Sequence, residues 1–487
     1  MIRYSLGMIL LFEAAFLLVP LITAIIYMEI APIFALAVTI LLCASIGALC
    51  RFSKPEDSNL YTKDSFLLVA LSWVVLSVFG ALPFVFSGSI PSFVDALFEI
   101  SSGFTTTGST IVPNCDVLPR SLIMWRSFSI WVGGMGVLVF VMAVLPLGGG
   151  QGMHIMRAES PGPEVSKLVP RLGKTARLLY AIYIAMTVLC FLFLIPDLEL
   201  FDAINLSFAT AGTGGFAVKA SSFAEYTPYA QIVATVFMLL FSINFNSYFL
   251  ILRFKFKEAF NTEVKVFLGI VFAAITIITI NLFTMPEPLE GINTLGDAIR
   301  HSAFSVATII STCGYTTLDF NLWPTLSKTI LVLLMFIGAC AGSTGGGFKV
   351  SRLIILFKGA MREIGNLIHP KQVKKITIDD KPVASEVVRS VNAYLVLYVL
   401  TFITSFVILT FDPYVPTEGM DVMTTNFTAV AATINNIGPG LDMVGPVGNF
   451  AFFSPLSKLV LTFDMLAGRL ELLPMMLLFT PSTWRKR

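Results

Sequence analysis

The sequence predicts an all-α polytopic membrane protein: two N-terminal transmembrane helices, then four M1–pore loop–M2 repeats around a pseudo-fourfold ion pore. Three observations predict it. The 487 residues are 56% hydrophobic and only 13% charged, with a mean hydropathy of +0.84, outside the range of soluble proteins. Apolar runs long enough to cross a bilayer recur along the whole chain. Between pairs of these runs lie four polar, glycine-bearing segments that look alike: SGFTTTGST (102–110), ATAGTGGF (209–216), ISTCGYTT (310–317) and ATINNIGPG (432–440). Non-helical backbone at membrane depth survives only where protein buries it or water lines it. Four such segments, one per repeat, imply a ring of backbone carbonyls around one ion path.

The elements follow in order. Apolar runs at about 5–28 and 30–52 are the two leading helices. The first lacks a small-residue cleavage signature and is interrupted by Glu13, so it reads as a mature helix rather than a signal peptide. Unit one has runs near 65–87 and 121–147 around a re-entrant segment ending near 112. Unit two has runs near 175–196 and 228–253 around 201–216. Unit three has runs near 264–285 and 325–357 around 297–317, and unit four has runs near 389–411 and 455–480 around 421–440. Each run reads as one crossing, giving ten. The chain divides into 1–53, 54–150, 151–256, 257–360 and 361–487, with an interrupted stretch at 338–348 inside the fourth division.

The repeats share an internal register. Asp95 precedes Gly108 and Asp202 precedes Gly215 by the same interval; Asp297 precedes Gly314 and Asp421 precedes Gly438 by a second shared interval. An Asp suits a helix N-cap and the positive end of the dipole. The stretch between then reads as a short pore helix whose partly negative end points at the glycine, as cation binding needs.

Charge sets orientation. Arg51, Lys54 and Lys63, the segment 148–177, the loop 253–265, the loop 349–389 and the tail Arg485-Lys486-Arg487 are basic. The alternate loops carry Asp116, Asp197, Glu199, Glu225, Glu287, Glu290, Asp412 and Glu418. Both termini are therefore expected in the cytoplasm, with the polar segments entering from an acidic outer face that concentrates cations.

Much chemistry is excluded. Six cysteines show no paired or metal-ligand spacing, and three histidines are scattered. There is no Walker motif or nucleotide fingerprint, so no enzyme activity, covalent cofactor or nucleic-acid partner is expected. Glycine in the polar segments frees the backbone and removes bulk from a narrow path. Gly338, Gly342, Gly345, Gly346 and Gly347 interrupt the second run of unit three, at about 1 kcal/mol each relative to Ala in a helix. This predicts an unwound loop rather than mere close helix packing. Arg469 lies inside the last apolar run, where a charge costs roughly 2.5–3.5 kcal/mol. It must pair with Asp464 or Glu471, or face the pore. Lys349 and Arg352 read as the cytoplasmic end of a helix, and Arg126 as a brace on a pore loop through Glu99.

These motifs, with GSTGGGFKVSR (342–352) and AGRLE (467–471), resemble the Trk/Ktr/HKT superfamily of potassium transporters, and within it the TrkH subunits of bacterial Trk systems, over essentially the whole chain. The resemblance implies potassium uptake across a bacterial inner membrane through a channel-like pore. It makes Gly108, Gly215, Gly314 and Gly438 the filter glycines. The carbonyls of Thr107, Gly214, Cys313 and Ile437 become K⁺ ligands. Cys313 stands where a threonine is expected. The resemblance makes Gly342, Ser343, Thr344, Gly345, Gly346 and Gly347 the gating loop, with Arg469 beside it. It further implies a cytosolic nucleotide-binding regulatory partner (TrkA-like), touching 148–177 and 349–389, and a homodimer in membrane lipid. Nucleotide would act only through that partner. The alternatives are a secondary transporter coupling a small solute to Na⁺ or H⁺, and a sodium-conducting relative.

Overall fold

The computed structural model describes residues 2–52, 62–136, 172–286, 289–370, 375–417 and 419–484. The expected contact surface at 148–171, Lys54, Glu287, Lys371, Lys374, Glu418 and the basic tail lie outside the described residues.

Helices Ile2–Phe16 and Leu18–Ile26 form one span that packs along Ile30–Arg51. Glycine permits the approach: a Cβ on either Gly7 or Gly47 would lie 2.8 Å from the other's carbonyl oxygen. Close backbone contact of this kind replaces the hydrophobic drive that lipid cannot supply. Glu13 is fully buried here, beside Gly80 of the next helix.

Each unit then repeats an outer helix, a short pore helix and an inner helix. The outer helices are Thr62–Gly80, continued by Leu82–Phe86, then Leu172–Leu194, Thr262–Phe283 and Ser385–Leu409. The pore helices are Phe93–Phe104, Leu200–Gly212, Leu295–Ile310 and Val422–Ile434. They end three or four residues before Gly108, Gly215, Gly314 and Gly438. Their starts differ from the expected pattern. Asp421 is an N-cap, accepting from Thr424 N, but Asp95, Asp202 and Asp297 lie in the first turn. The caps there are Ser92, Glu199 and Thr294, and Thr294 forms a reciprocal capping box with Asp297. A carboxylate in the first turn still meets the positive dipole end, so the signal survives a shift of position.

The inner helices differ most from expectation. Among the described residues six helices are long and apolar enough to cross, and none is an inner helix. Pro228–Phe241 and Phe245–Leu252 meet at 91°. Thr325–Ile337 stops at Gly338 and resumes as Val350–Ile368; Pro455–Arg469 stops before Leu473–Leu478. In unit one the described inner helix is Arg120–Gly134. The ten expected single crossings are therefore partly broken helices. A break at depth is tolerated because other protein groups satisfy the freed backbone.

The units close into a ring. Each inner helix packs on the next unit's pore helix: Arg120–Gly134 on Leu200–Gly212, Pro228–Phe241 on Leu295–Ile310, Thr325–Ile337 on Val422–Ile434, and Pro455–Arg469 back on Phe93–Phe104. The last joint carries an ion pair, with Lys458 Nζ 2.6 Å from Asp95 Oδ1. A short hairpin, Thr377–Ile378 with Lys381–Pro382, follows the third unit.

A candidate ion pathway

The four polar segments share one backbone shape. The residue two before each of Gly108, Gly215, Gly314 and Gly438 is left-handed: Thr106 (φ 57°), Thr213 (54°), Thr312 (60°) and Asn436 (55°). Each glycine also has positive φ: 82° at Gly108, 66° at Gly215, 96° at Gly314 and 106° at Gly438. Thr107, Gly214, Cys313 and Ile437, between them, have negative φ. Three of the four left-handed positions outside glycine hold β-branched threonine, an unfavourable choice. Such strain persists only where surroundings over-determine it, and it clusters at functional sites.

The glycines meet the carbonyls of the neighbouring unit in cyclic order. A Cβ on Gly108 would lie 2.2 Å from the Gly214 carbonyl oxygen, and one on Gly215 would lie 1.9 Å from that of Cys313. A Cβ on Gly314 would lie 2.3 Å from the Ile437 oxygen, and one on Gly438 would lie 2.9 Å from that of Thr107. Four units thus bring one carbonyl each against the next unit's glycine, and the sequence returns to its start. The geometry also separates the Gly214-Gly215 doublet: Gly215 takes the positive-φ position and Gly214 presents the carbonyl. The side chain of Cys313 lies in the second unit's apolar core while its carbonyl joins the ring.

Side chains brace the ring. Asn436 Nδ2 donates to Thr107 Oγ1 at 3.0 Å and to Met465 O at 2.8 Å. Ser109 Oγ donates to Gly438 O at 2.9 Å, and Gly314 N donates to Thr308 Oγ1 at 3.0 Å. Arg126 meets Glu99, as expected. Against the ring a cavity of about 110 Å³ is lined by all four of these glycines. At the start of the fourth pore helix, the N–H and hydroxyl of Thr424 hold the Asp421 carboxyl below its usual range.

Beneath the ring lies the segment 338–349. Gly346 N donates to Thr312 Oγ1 at 2.6 Å, and a Cβ on Gly346 would lie 2.5 Å from Asn435 O. Cys340 N donates to Ser242 O at 3.1 Å and Phe245 N to Gly342 O at 3.0 Å, so this segment satisfies backbone groups freed by the bend in the second inner helix. Arg469 joins it to two more units: its guanidinium donates to Thr344 O at 2.8 Å, to Gly134 O at 2.6 Å and to Gly133 O.

The model for the TrkH family, a cation transport protein, matches residues 32–486. The Trk system potassium uptake protein TrkH of Escherichia coli K12 is 35% identical over 487 residues, covering 99% of this chain and 98% of its own. That of Halomonas elongata is 35% identical over 498 residues, covering 100% and 99%. The crystal structure of the potassium transporter TrkH from Vibrio parahaemolyticus superposes with a TM-score of 0.85 at 31% identity, covering 99% of both chains. The chain belongs to the TrkH family.

Several residues of this TrkH-family chain lie elsewhere than the sequence implied. Lys349 and Arg352, expected at the cytoplasmic end of a helix, instead stand at the start of Val350–Ile368, where they are 1% and 4% exposed. Lys349 donates to Gly345 O. Arg352 pairs with Glu471 and stacks 3.9 Å from the Tyr394 ring centroid. Asp464 instead accepts from Ser405 Oγ at 2.8 Å. Of the two readings of Arg469, an ion pair with a neighbouring acid or a place facing the pore, the carbonyl contacts to Thr344, Gly133 and Gly134 agree with the second. Glu263 was missed: it accepts from Ala341 N and Ser351 N. Its only sequence signal was an acid at the start of an apolar run.

Proposed function

We propose that this chain conducts potassium ions into the cell across a bacterial inner membrane, down their electrochemical gradient. The observation that carries the proposal is the cyclic approach of each filter glycine to the carbonyl before the next. Four carbonyls so arranged replace the hydration shell of a monovalent cation. The names of the relatives, potassium uptake proteins, support the same ion. In this reading Thr107, Gly214, Cys313 and Ile437 supply the ligands, and Gly108, Gly215, Gly314 and Gly438 make room for them. The segment from Gly342 to Gly347, with Ser343 and Thr344 held by Arg469, blocks the path below as a gate. The five divisions of the chain are then two accessory helices and four pore quarters.

A cytosolic nucleotide-binding subunit opens the gate, contacting the basic stretch 349–389 away from the buried Lys349 and Arg352. The naming of the relatives as parts of a Trk system supports a multi-component assembly. A second copy covers the apolar stripe of Val350–Ile368, where Leu353, Phe357, Met361, Ile364 and Ile368 are exposed. Both termini lie in the cytoplasm, following the basic loops. The test is ion flux through purified protein in liposomes with separate K⁺ and Na⁺ gradients. Saturable K⁺ or Rb⁺ flux that Na⁺ competes for weakly supports the proposal. Flux only with an organic solute would replace it with a coupled transporter, and equal Na⁺ flux with a sodium-conducting relative.

A further inference from the structure

One acid beside the 338–349 segment has no part in the ion path. Glu263 lies in the first turn of Thr262–Phe283 and is 8% exposed. Its Oε1 accepts from Ala341 N at 2.7 Å and from Ser351 N at 3.2 Å. Those two N–H groups flank the run 342–347 on opposite sides. One carboxylate oxygen therefore ties the entry and the exit of the loop together. Both bonds go to one buried carboxyl oxygen, and moving either flank leaves a buried backbone N–H without its acceptor.

The preceding residue connects Glu263 to the surface. Thr262 N and Oγ1 donate to Asp379 Oδ1 at 2.8 Å and 2.6 Å. Asp379 is in the tip of the hairpin Thr377–Ile378 and Lys381–Pro382. Asp379 and Asp380 both have positive φ, 49° and 61°, the combination of a two-residue I′ hairpin turn. The hairpin is anchored beyond that exposed contact. Ile376 is buried, Ile378 packs on the third unit's core, and Lys358 Nζ donates to Thr377 O at 2.7 Å. Lys358 belongs to Val350–Ile368, the helix that leaves the loop. The hairpin thus bridges the helix after the loop and the start of the helix that carries Glu263.

We propose that Glu263 is a positioning residue that holds the loop shut, and that the hairpin 377–382 is the handle through which displacement at the cytoplasmic face reaches it. The inference rests on the gating role proposed above for 342–347. Pulling the hairpin shifts the Thr262 turn, Glu263 moves with it, and both flanks of the loop lose their common acceptor.

The test is radiotracer Rb⁺ flux through the full-length protein in liposomes without any partner. Glu263→Ala, which removes both hydrogen bonds, should raise basal flux at least about tenfold, the scale set by one such bond. Asp379→Ala should raise it less. The double variant should not exceed Glu263→Ala, because both act on one latch. Competition by Na⁺ should stay at the wild-type level throughout, which general damage to the pore would not allow. Wild-type flux in Glu263→Ala, when a shortened 342–347 loop does raise flux, overturns the latch. Multiplied effects in the double variant overturn the link through the hairpin. If Glu263→Ala does not fold, Glu263→Met, which fills the space and removes the acceptor, decides, raised flux supporting the latch and wild-type flux overturning it. If the shortened loop itself leaves flux unchanged, the gating role falls and the latch with it.

Discussion

Arg126 Nε sits 2.7 Å from Glu99 Oε1, with neither side chain more than 3% exposed. Glu99 also accepts from Thr110 Oγ1 at 3.0 Å and from Ile111 N at 2.9 Å. The pair therefore joins the first inner helix to the backbone just past Gly108, and the Arg126 guanidinium lies 4.1 Å from the Phe216 ring centroid of the next unit. Removing one member leaves the other charge buried, at a cost of roughly 3–5 kcal/mol. Arg126→Met should lower the thermal midpoint in detergent and weaken K⁺ over Na⁺ selection. Adding Glu99→Gln should restore part of the stability. A midpoint unchanged in Arg126→Met would show that the pair braces nothing.

Gly215→Ser and Gly314→Ser should weaken K⁺ over Na⁺ selection, measured as Na⁺ competition against Rb⁺ uptake. Each added Cβ would fall within 2.3 Å of a backbone carbonyl, and both positions have positive φ, so the ring must distort. Gly269→Ala is the matched control. Nothing lies within 4 Å of its added Cβ, and Ala in an exposed helix gains roughly 0.5–1 kcal/mol over Gly. Selection should be unchanged there.

Cys313→Thr should leave uptake near wild type. The group facing the ring is a carbonyl, and the side chain lies in the apolar core. Burying a hydroxyl without a partner costs roughly 1–3 kcal/mol by mutational measures, so a lower thermal midpoint with preserved selection is expected. Lost selection with an intact midpoint would mean the side chain itself reads the ion.

Arg469→Ala should raise flux measured without a partner. The guanidinium donates to carbonyls of three backbone positions, Thr344, Gly133 and Gly134. Hydrogen bonds from a charged donor contribute roughly 1.5–3 kcal/mol each, so losing them frees the loop from the first unit. Shortening 342–347 should act in the same direction. Wild-type flux in both folded variants would reduce the segment to packing.

Neutralising Lys371, Lys374, Lys375 and Lys381 together should weaken association with a cytosolic regulatory subunit, most at low ionic strength. Charges at the edge of an interface act mainly on encounter and salt dependence. Pull-down at two salt concentrations measures it. Equal binding at low salt, with topology preserved, would leave these lysines only their role in orientation.

The sequence by itself determined the helical membrane class, the four repeats and the common register of their glycines. These signals are local: hydropathy over a span, a glycine in a polar segment, an acid at a pore-helix start. The doublet Gly214-Gly215 was readable because spacing along one helix end is fixed by chain geometry. Tertiary structure decided the partners of the charges. Arg469 reaches Gly133 and Gly134 in the first unit, while Glu471, two residues away, turns to Arg352. It also decided that the inner helices break and that Glu263 ties both flanks of one loop. A buried charge or a freed carbonyl must find a partner, but the demand does not name which. Only the closed ring brings unit four against unit one and sets the donors within reach.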